Sequence, residues 1–120
     1  MSATPRTAIV TGSTSGIGLA IARRFAAEGC NVVFNSFSDT DDDHAVAHKA
    51  AAETGARTLY VQADMSDGEA CRGLVAKAAQ AFGGVDILVN NAGIQHVAPI
   101  EDFPPAKWDQ IIAINLTSAF

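Results

Sequence analysis

Four short apolar runs recur along the chain, one helix length apart, and that alternation restricts the fold more than any single residue does. Thr7–Thr11, NVVFNS from Asn31, RTLYVQA from Arg57 and VDILVN from Val85 are rich in β-branched and large apolar residues. Strands buried on both faces have that composition. Between them the apolar spacing is helical. From Gly16 to Glu28, Ile17, Ile21 and Phe25 recur on one face, and Gly29 can end the helix. A second helix passes through Ala45–Glu53 and stops near Gly55. Negative charge from Asp39 to Asp43 suits the positive end of its dipole, with Asp39 as its cap. Ser66 and Glu69 match a capping box, which opens a third helix with Cys71, Leu74, Val75, Ala78 and Phe82 as its buried stripe. After the breaker-rich NAGIQHVAPIEDFPP, Pro105 suits the first position of a last helix. That helix carries Trp108, Ile111, Ile112 and Asn115 and runs on to Phe120. The expected fold is α/β, a doubly wound parallel sheet with a crevice where the winding reverses.

The totals fit one soluble domain: 120 residues, 48% of them apolar and 18% charged. A formal net charge of −5 gives no general attraction to nucleic acid or to an anionic membrane surface. No apolar run approaches a bilayer span, and MSATPRTAIV lacks the core of a secretory leader. Cys30 and Cys71 lie far apart with no Cys-x-x-Cys pair, as expected of free thiols in a reducing cytoplasm. His44 and His48 stand one helical turn apart, but no third ligand accompanies them, so no metal site is expected.

The first strand ends in TGSTSGIG, with glycines at 12, 16 and 18. No Gly-Lys-Ser/Thr follows, so this is not a Walker A loop. Gly12 permits a sharp reversal, while Gly16 and Gly18 clear side chains where backbone approaches a phosphate or where helix meets sheet. The following helix N-terminus then offers free N–H groups to an anion, joined by the hydroxyls of Ser13, Thr14 and Ser15. A tight strand-to-helix turn without a ligand would have the same pattern.

The second strand ends in FNSFSD. An acid there would accept from an adenosine ribose, and an arginine would meet a 2′-phosphate. The chain has neither; Asn35, Ser36 and Phe37 occupy the place. That favours NAD over NADP without excluding NADP, and Phe37 is a candidate both for packing on adenine and for the core. Asp64, after the third strand, can accept from an adenine amino group, with the Met65 backbone beside it.

Taken in order, TGSTSGIG, Ala63-Asp64, NNAG at 90–93 and IIAINL at 111–116 make the chain resemble the short-chain dehydrogenase/reductase family over its whole length. NNAGIQHVAPIEDFPPAKWDQIIAINL is similar, more narrowly, to the 3-hydroxybutyrate dehydrogenase branch. The resemblance implies a Rossmann-type domain and a nicotinamide cofactor. Gly12, Thr14, Ser15, Gly16, Ile17 and Gly18 would lie along the pyrophosphate and nicotinamide side. Phe37, Asp64 and Met65 would hold the adenosine end, and Asn91, Ala92 and Gly93 would flank a ribose. Asn91 is also placed to tie neighbouring strands through its amide. Gln95 matches the position that donates to the substrate carboxylate, though an exposed loop glutamine reads the same. His96, beside it, reads as a plain loop residue.

Asn115 matches the family's catalytic asparagine, whose carbonyl-held water joins a proton relay. On the helix it shares a face with Ile111 and Trp108, which points it inward. The family also uses a serine and a Tyr-x-x-x-Lys pair. The chain's tyrosine, Tyr60, sits inside a strand with Asp64 four residues on, so it packs against a helix instead. The expectation is that residues 1–120 are the N-terminal part of a single NAD(P)-binding domain, truncated after the fourth strand and the start of its helix. The missing serine, tyrosine and lysine would then follow Phe120, leaving this chain inactive alone. The longer enzyme would interconvert 3-hydroxybutyrate and acetoacetate, a small hydroxy/keto acid pair, as a cytoplasmic homo-oligomer, a tetramer. Two alternatives stay open: an NADP enzyme like the 3-oxoacyl carrier-protein reductases, and a non-catalytic nucleotide-binding module.

Overall fold

The computed structural model describes residues 4–120. Strands β1 (Thr7–Val10), β2 (Asn31–Ser36), β3 (Thr58–Gln62) and β4 (Ile87–Val89) form one parallel sheet in the order β3-β2-β1-β4. Helices α1 (Gly16–Ala27), α2 (Asp41–Thr54), α3 (Gly68–Phe82) and α4 (Pro105–Asn115) alternate with the strands. The chain winds outward from β1 through β2 to β3, then returns to pair β4 with the other side of β1. This Rossmann-like arrangement is the expected one, and its reversal lies between β1 and β4.

Every residue of β1 and β2 is buried, so neighbouring side chains must satisfy opposite faces of the sheet. Val10, Val32, Phe34 and Tyr60 meet Ala22 and Ala26 of α1 and Ala47 and Ala50 of α2. Ile9, Val33 and Val61 meet Leu74 and Ala78 of α3 and Ile114 of α4. The helices present mostly alanine to the sheet, so the large side chains of the core come from the strands. Phe34, fully buried, contributes about 1.5–3 kcal/mol through its removal from water.

Several local expectations are corrected. The fully buried residues of α1 are Gly18, Ala22 and Ala26; of the expected face, Ile21 and Phe25 pack partly buried against the core, whereas Ile17 is exposed. Close packing of the helix start on the glycine turn demands the smallest residues there. Thr40, not Asp39, caps α2: its hydroxyl accepts from the Asp43 amide, and the Asp43 carboxylate accepts from the Thr40 amide, a complete capping box. Asp39 pairs instead with His44. Asp67, not Ser66, caps α3, accepting from the Glu69 amide at 3.0 Å, because Ser66 is already committed to Asp64. Val75 falls outside the buried stripe.

Pro105 opens α4 as expected, but Ile114 is its one buried residue, and Trp108 lies exposed with its ring edge-on to Phe103. The α-helix ends at Asn115, and Thr117–Ala119 form a 3-10 turn, so Phe120 is not mid-helix. Among the described residues no helix is long and apolar enough to cross a membrane. Cys30 and Cys71 are free thiols, and burial pushes that of Cys71 up.

Candidate functional site

At the carboxyl ends of the strands, where the winding reverses, a crevice of about 610 Å³ opens between the glycine turn, the ends of β2 and β3, the segment after β4, and α4. Its floor is built by closely approaching backbone. Gly12 turns at φ +61°, and a Cβ there would press on Ala92. A Cβ on Gly18 would come closer than 3.0 Å to both the Gly12 carbonyl and the Asn91 amide, so only glycine fits. Asn91 is the tie expected of it. Its Nδ2 donates to the carbonyls of Thr11 at 3.0 Å and Gly12 at 3.1 Å. The Thr11 hydroxyl accepts in return from the amides of Asn91 and Ala92.

The hydroxyls of the turn divide into two kinds. Ser13 is fully buried; its Oγ donates to the Val10 carbonyl and accepts from the Asn35 amide. It therefore offers nothing to a ligand, contrary to the sequence expectation. Thr14 and Ser15 line the crevice. Ser15 is the N-cap of α1, yet its side chain makes no capping bond, whereas Thr40 and Asp67 cap α2 and α3 with theirs. The first amides of α1 thus have no side-chain acceptor, as at the start of α4, but those of α1 face the crevice. Gly16, at φ +59° with nothing within 4 Å of an added Cβ, keeps the approach to that terminus clear. It lies beside the lining, which takes in Ile17 and Gly18.

At the end of β2, Asn35 is not an open contact point. It is almost fully buried, and its side chain joins the Gly12 amide at 3.1 Å to the Val61 carbonyl at 3.0 Å. Phe37 is 76% exposed at the crevice rim, which removes the core reading. Asp64 lines the opposite rim with Met65. Its Oδ1 accepts from the Ser66 hydroxyl at 2.7 Å and amide at 2.9 Å, and these donors hold its carboxyl below the usual range. It is ionised at neutral pH.

Asn91, Ala92 and Gly93 line the third side. Asn115 is exposed rather than turned inward, but it is fully engaged: Oδ1 accepts from the Ile94 amide at 2.9 Å and Nδ2 donates to the Ile94 carbonyl at 2.8 Å. The pair fixes α4 to the segment beside the crevice. Gln95 and His96 are exposed on the following loop and do not line the crevice. The sequence reading missed Ile94, Gln110 and Ile114 as lining residues. Periodicity offered only a weak signal for them, since Ile94 lies outside any helix or strand and α4 has a single buried residue. His44 and His48 hold no metal set; among the described residues no cluster of three His, Cys, Asp or Glu could bind one.

A crevice at the switch point, floored by a helix terminus without a side-chain cap, marks the class of open α/β sheets that take ligands beyond their strand ends. The sequence pattern described as "short chain dehydrogenase" matches residues 6–120, and the chain belongs to that family of oxidoreductases. It is 59% identical over 115 residues to D-beta-hydroxybutyrate dehydrogenase of Cupriavidus necator, covering 96% of this chain and 44% of that protein. To the protein of the same name from Rhizobium meliloti it is 50% identical, covering 96% of this chain and 45% of that one. The L-sorbose reductase from Gluconobacter frateurii, solved with NADPH and L-sorbose, superposes with a TM-score of 0.91 at 36% identity, covering 97% of this chain and 44% of that one. The chain therefore spans less than half the length of these relatives.

Proposed function

We propose that residues 1–120 are the cofactor-holding part of an NAD-dependent dehydrogenase that interconverts 3-hydroxybutyrate and acetoacetate. The observation that carries the dinucleotide reading is the start of α1, which lacks a side-chain cap and opens on the crevice across a bare Gly16. A pyrophosphate fits that donor set, with Gly12, Thr14, Ser15, Gly16, Ile17 and Gly18 around it. Phe37, Asp64 and Met65 then hold adenosine, the Asp64 carboxylate accepting from the adenine amino group through the oxygen that Ser66 leaves free. Asn91, Ala92 and Gly93 border a ribose. When bound, the nicotinamide supplies hydride transfer; what these residues do is hold and orient it. Asn115 keeps the Ile94 backbone in place beside the crevice.

The choice of NAD rests on charge. Residues 36–43 include Asp39, Asp41, Asp42 and Asp43 and no lysine or arginine, so a 2′-phosphate finds no counter-charge there. The hydroxybutyrate substrate rests on the two relatives bearing that name. In this reading Gln95 donates to the substrate carboxylate, and proton transfer uses residues outside these 120. The longer enzyme is a cytoplasmic homo-oligomer.

Titration with NAD and with NADP, followed by amide NMR, tests the reading. NAD should shift Gly16–Gly18 and the rim residues Phe37 and Asp64, and NADP should bind more weakly. Unmoved Gly16–Gly18 signals in folded protein would dismiss the dinucleotide. Turnover of 3-hydroxybutyrate by the purified 120-residue chain would overturn the placement of proton transfer elsewhere.

A further inference from the structure

Behind the crevice rim, on the side away from the proposed ligand, the edge strand β3 sends two side chains into the turn that follows β2. Tyr60 and Gln62 are two positions apart and share one face of the sheet. The Tyr60 hydroxyl donates to the Ser38 carbonyl, and Gln62 Nε2 donates to the Phe37 carbonyl at 2.9 Å. Two successive carbonyls of a segment without regular structure are thus held from one strand.

The phenol is a fixed anchor. Tyr60 is 8% exposed, belongs to the core cluster with Ala47 and Ala50, and lies under the His44 ring at 4.8 Å between centroids. Burial pushes its hydroxyl up, so it remains a donor through neutral pH. The grip on the turn is extended from α2, where the Asp43 carboxylate accepts from the Ser38 hydroxyl at 2.7 Å. Neither Tyr60 nor Gln62 lines the crevice; both face a separate hollow shared with Asp39 and His44. Their hydrogen bonds reach the crevice through the turn, whose Phe37 ring stands at the rim.

We infer that Tyr60 and Gln62 are positioning residues, which set the Phe37 ring as one wall of the adenosine subsite by holding the carbonyls of Phe37 and Ser38. The inference rests on the dinucleotide reading above and adds to it the control of one subsite from outside the crevice. Pre-ordering the turn removes an ordering cost from binding.

The test uses Tyr60→Phe, which keeps the ring and removes the donor, and Gln62→Ala at an exposed position. Amide hydrogen exchange should accelerate at Phe37–Thr40 in both variants and remain unchanged in β1. Dissociation constants for NAD and AMP should rise about three- to tenfold, the worth of one neutral hydrogen bond. That for nicotinamide mononucleotide, which lacks the adenosine, should not move. If wild-type protein binds NAD and both variants bind NAD and AMP equally well, this inference alone fails. Equal weakening of the mononucleotide overturns it too, as general loosening of the fold. If the wild type binds no NAD, the dinucleotide reading falls and takes this one with it.

Discussion

Gly18 and Gly73 are both helical glycines, and their surroundings make opposite demands. An added methyl at Gly18 meets the Gly12 carbonyl, which cannot yield because it also accepts from Asn91. Gly18→Ala should therefore destabilise by about 1–3 kcal/mol. At Gly73, inside α3, a Cβ meets nothing within 4 Å, so Gly73→Ala should stabilise by about 0.5–1 kcal/mol through the unfolded chain. Urea unfolding of the two variants checks both signs. Asn115 makes a third case, since its amide serves both polar groups of Ile94. Asn115→Ala should cost about 1 kcal/mol and speed exchange of the Ile94 amide, leaving β1 protected. At this scale the sequence was legible for Asn91, whose short amide next to a turn invites backbone bonds. It misled for Ser13, because a hydroxyl in a glycine turn reads as a ligand group until its buried partners are known.

The starts of the helices differ, and their sequences foretold the difference only in part. Thr40 and Asp43 close a reciprocal box at α2, so Thr40→Ala should lower stability by about 1 kcal/mol. Asp43 adds a pH dependence. The Ser38 hydroxyl, then the Thr40 amide, lower its carboxyl from the ordinary 3.8. A group lowered on folding contributes stability that is whole above the unfolded value and is lost as pH falls through the folded one. Thermal melts of wild type and Asp43→Asn should therefore differ near neutrality and converge as the pH drops below 3.8. The run of acids from Asp39 to Asp43 announced a helix start, but charge alone pointed to Asp39, not Thr40, as the cap. The choice fell to Thr40 once His44 had engaged Asp39. In α1 the apolar period pointed to Ile17, Ile21 and Phe25. Ile21 and Phe25 do pack on the core, but the close approach of helix to glycine turn, invisible to periodicity, left Ile17 exposed and buried Gly18 instead.

For the molecule as a whole, alternation of four apolar strands with four helices fixed the class of fold, and the glycine spacing located its crevice. The loop after Ile94 stayed illegible because little of it is buried, and burial is what periodicity records. The sheet has two margins of unlike character. β3 lies beside α2 and α3, whereas β4 pairs with β1 on one side, and Leu88 within it is 45% exposed. An exposed apolar margin of this kind promotes association between copies. Leu88→Lys should reduce concentration-dependent self-association of the 120-residue chain, measured by analytical ultracentrifugation, without loss of helix content. The position of β4 also has a geometric corollary. A further parallel strand laid against it would run in the same direction and end on the crevice side of the sheet. The sheet could then grow from this margin, and the carboxyl end of the added strand would give the crevice a second flank.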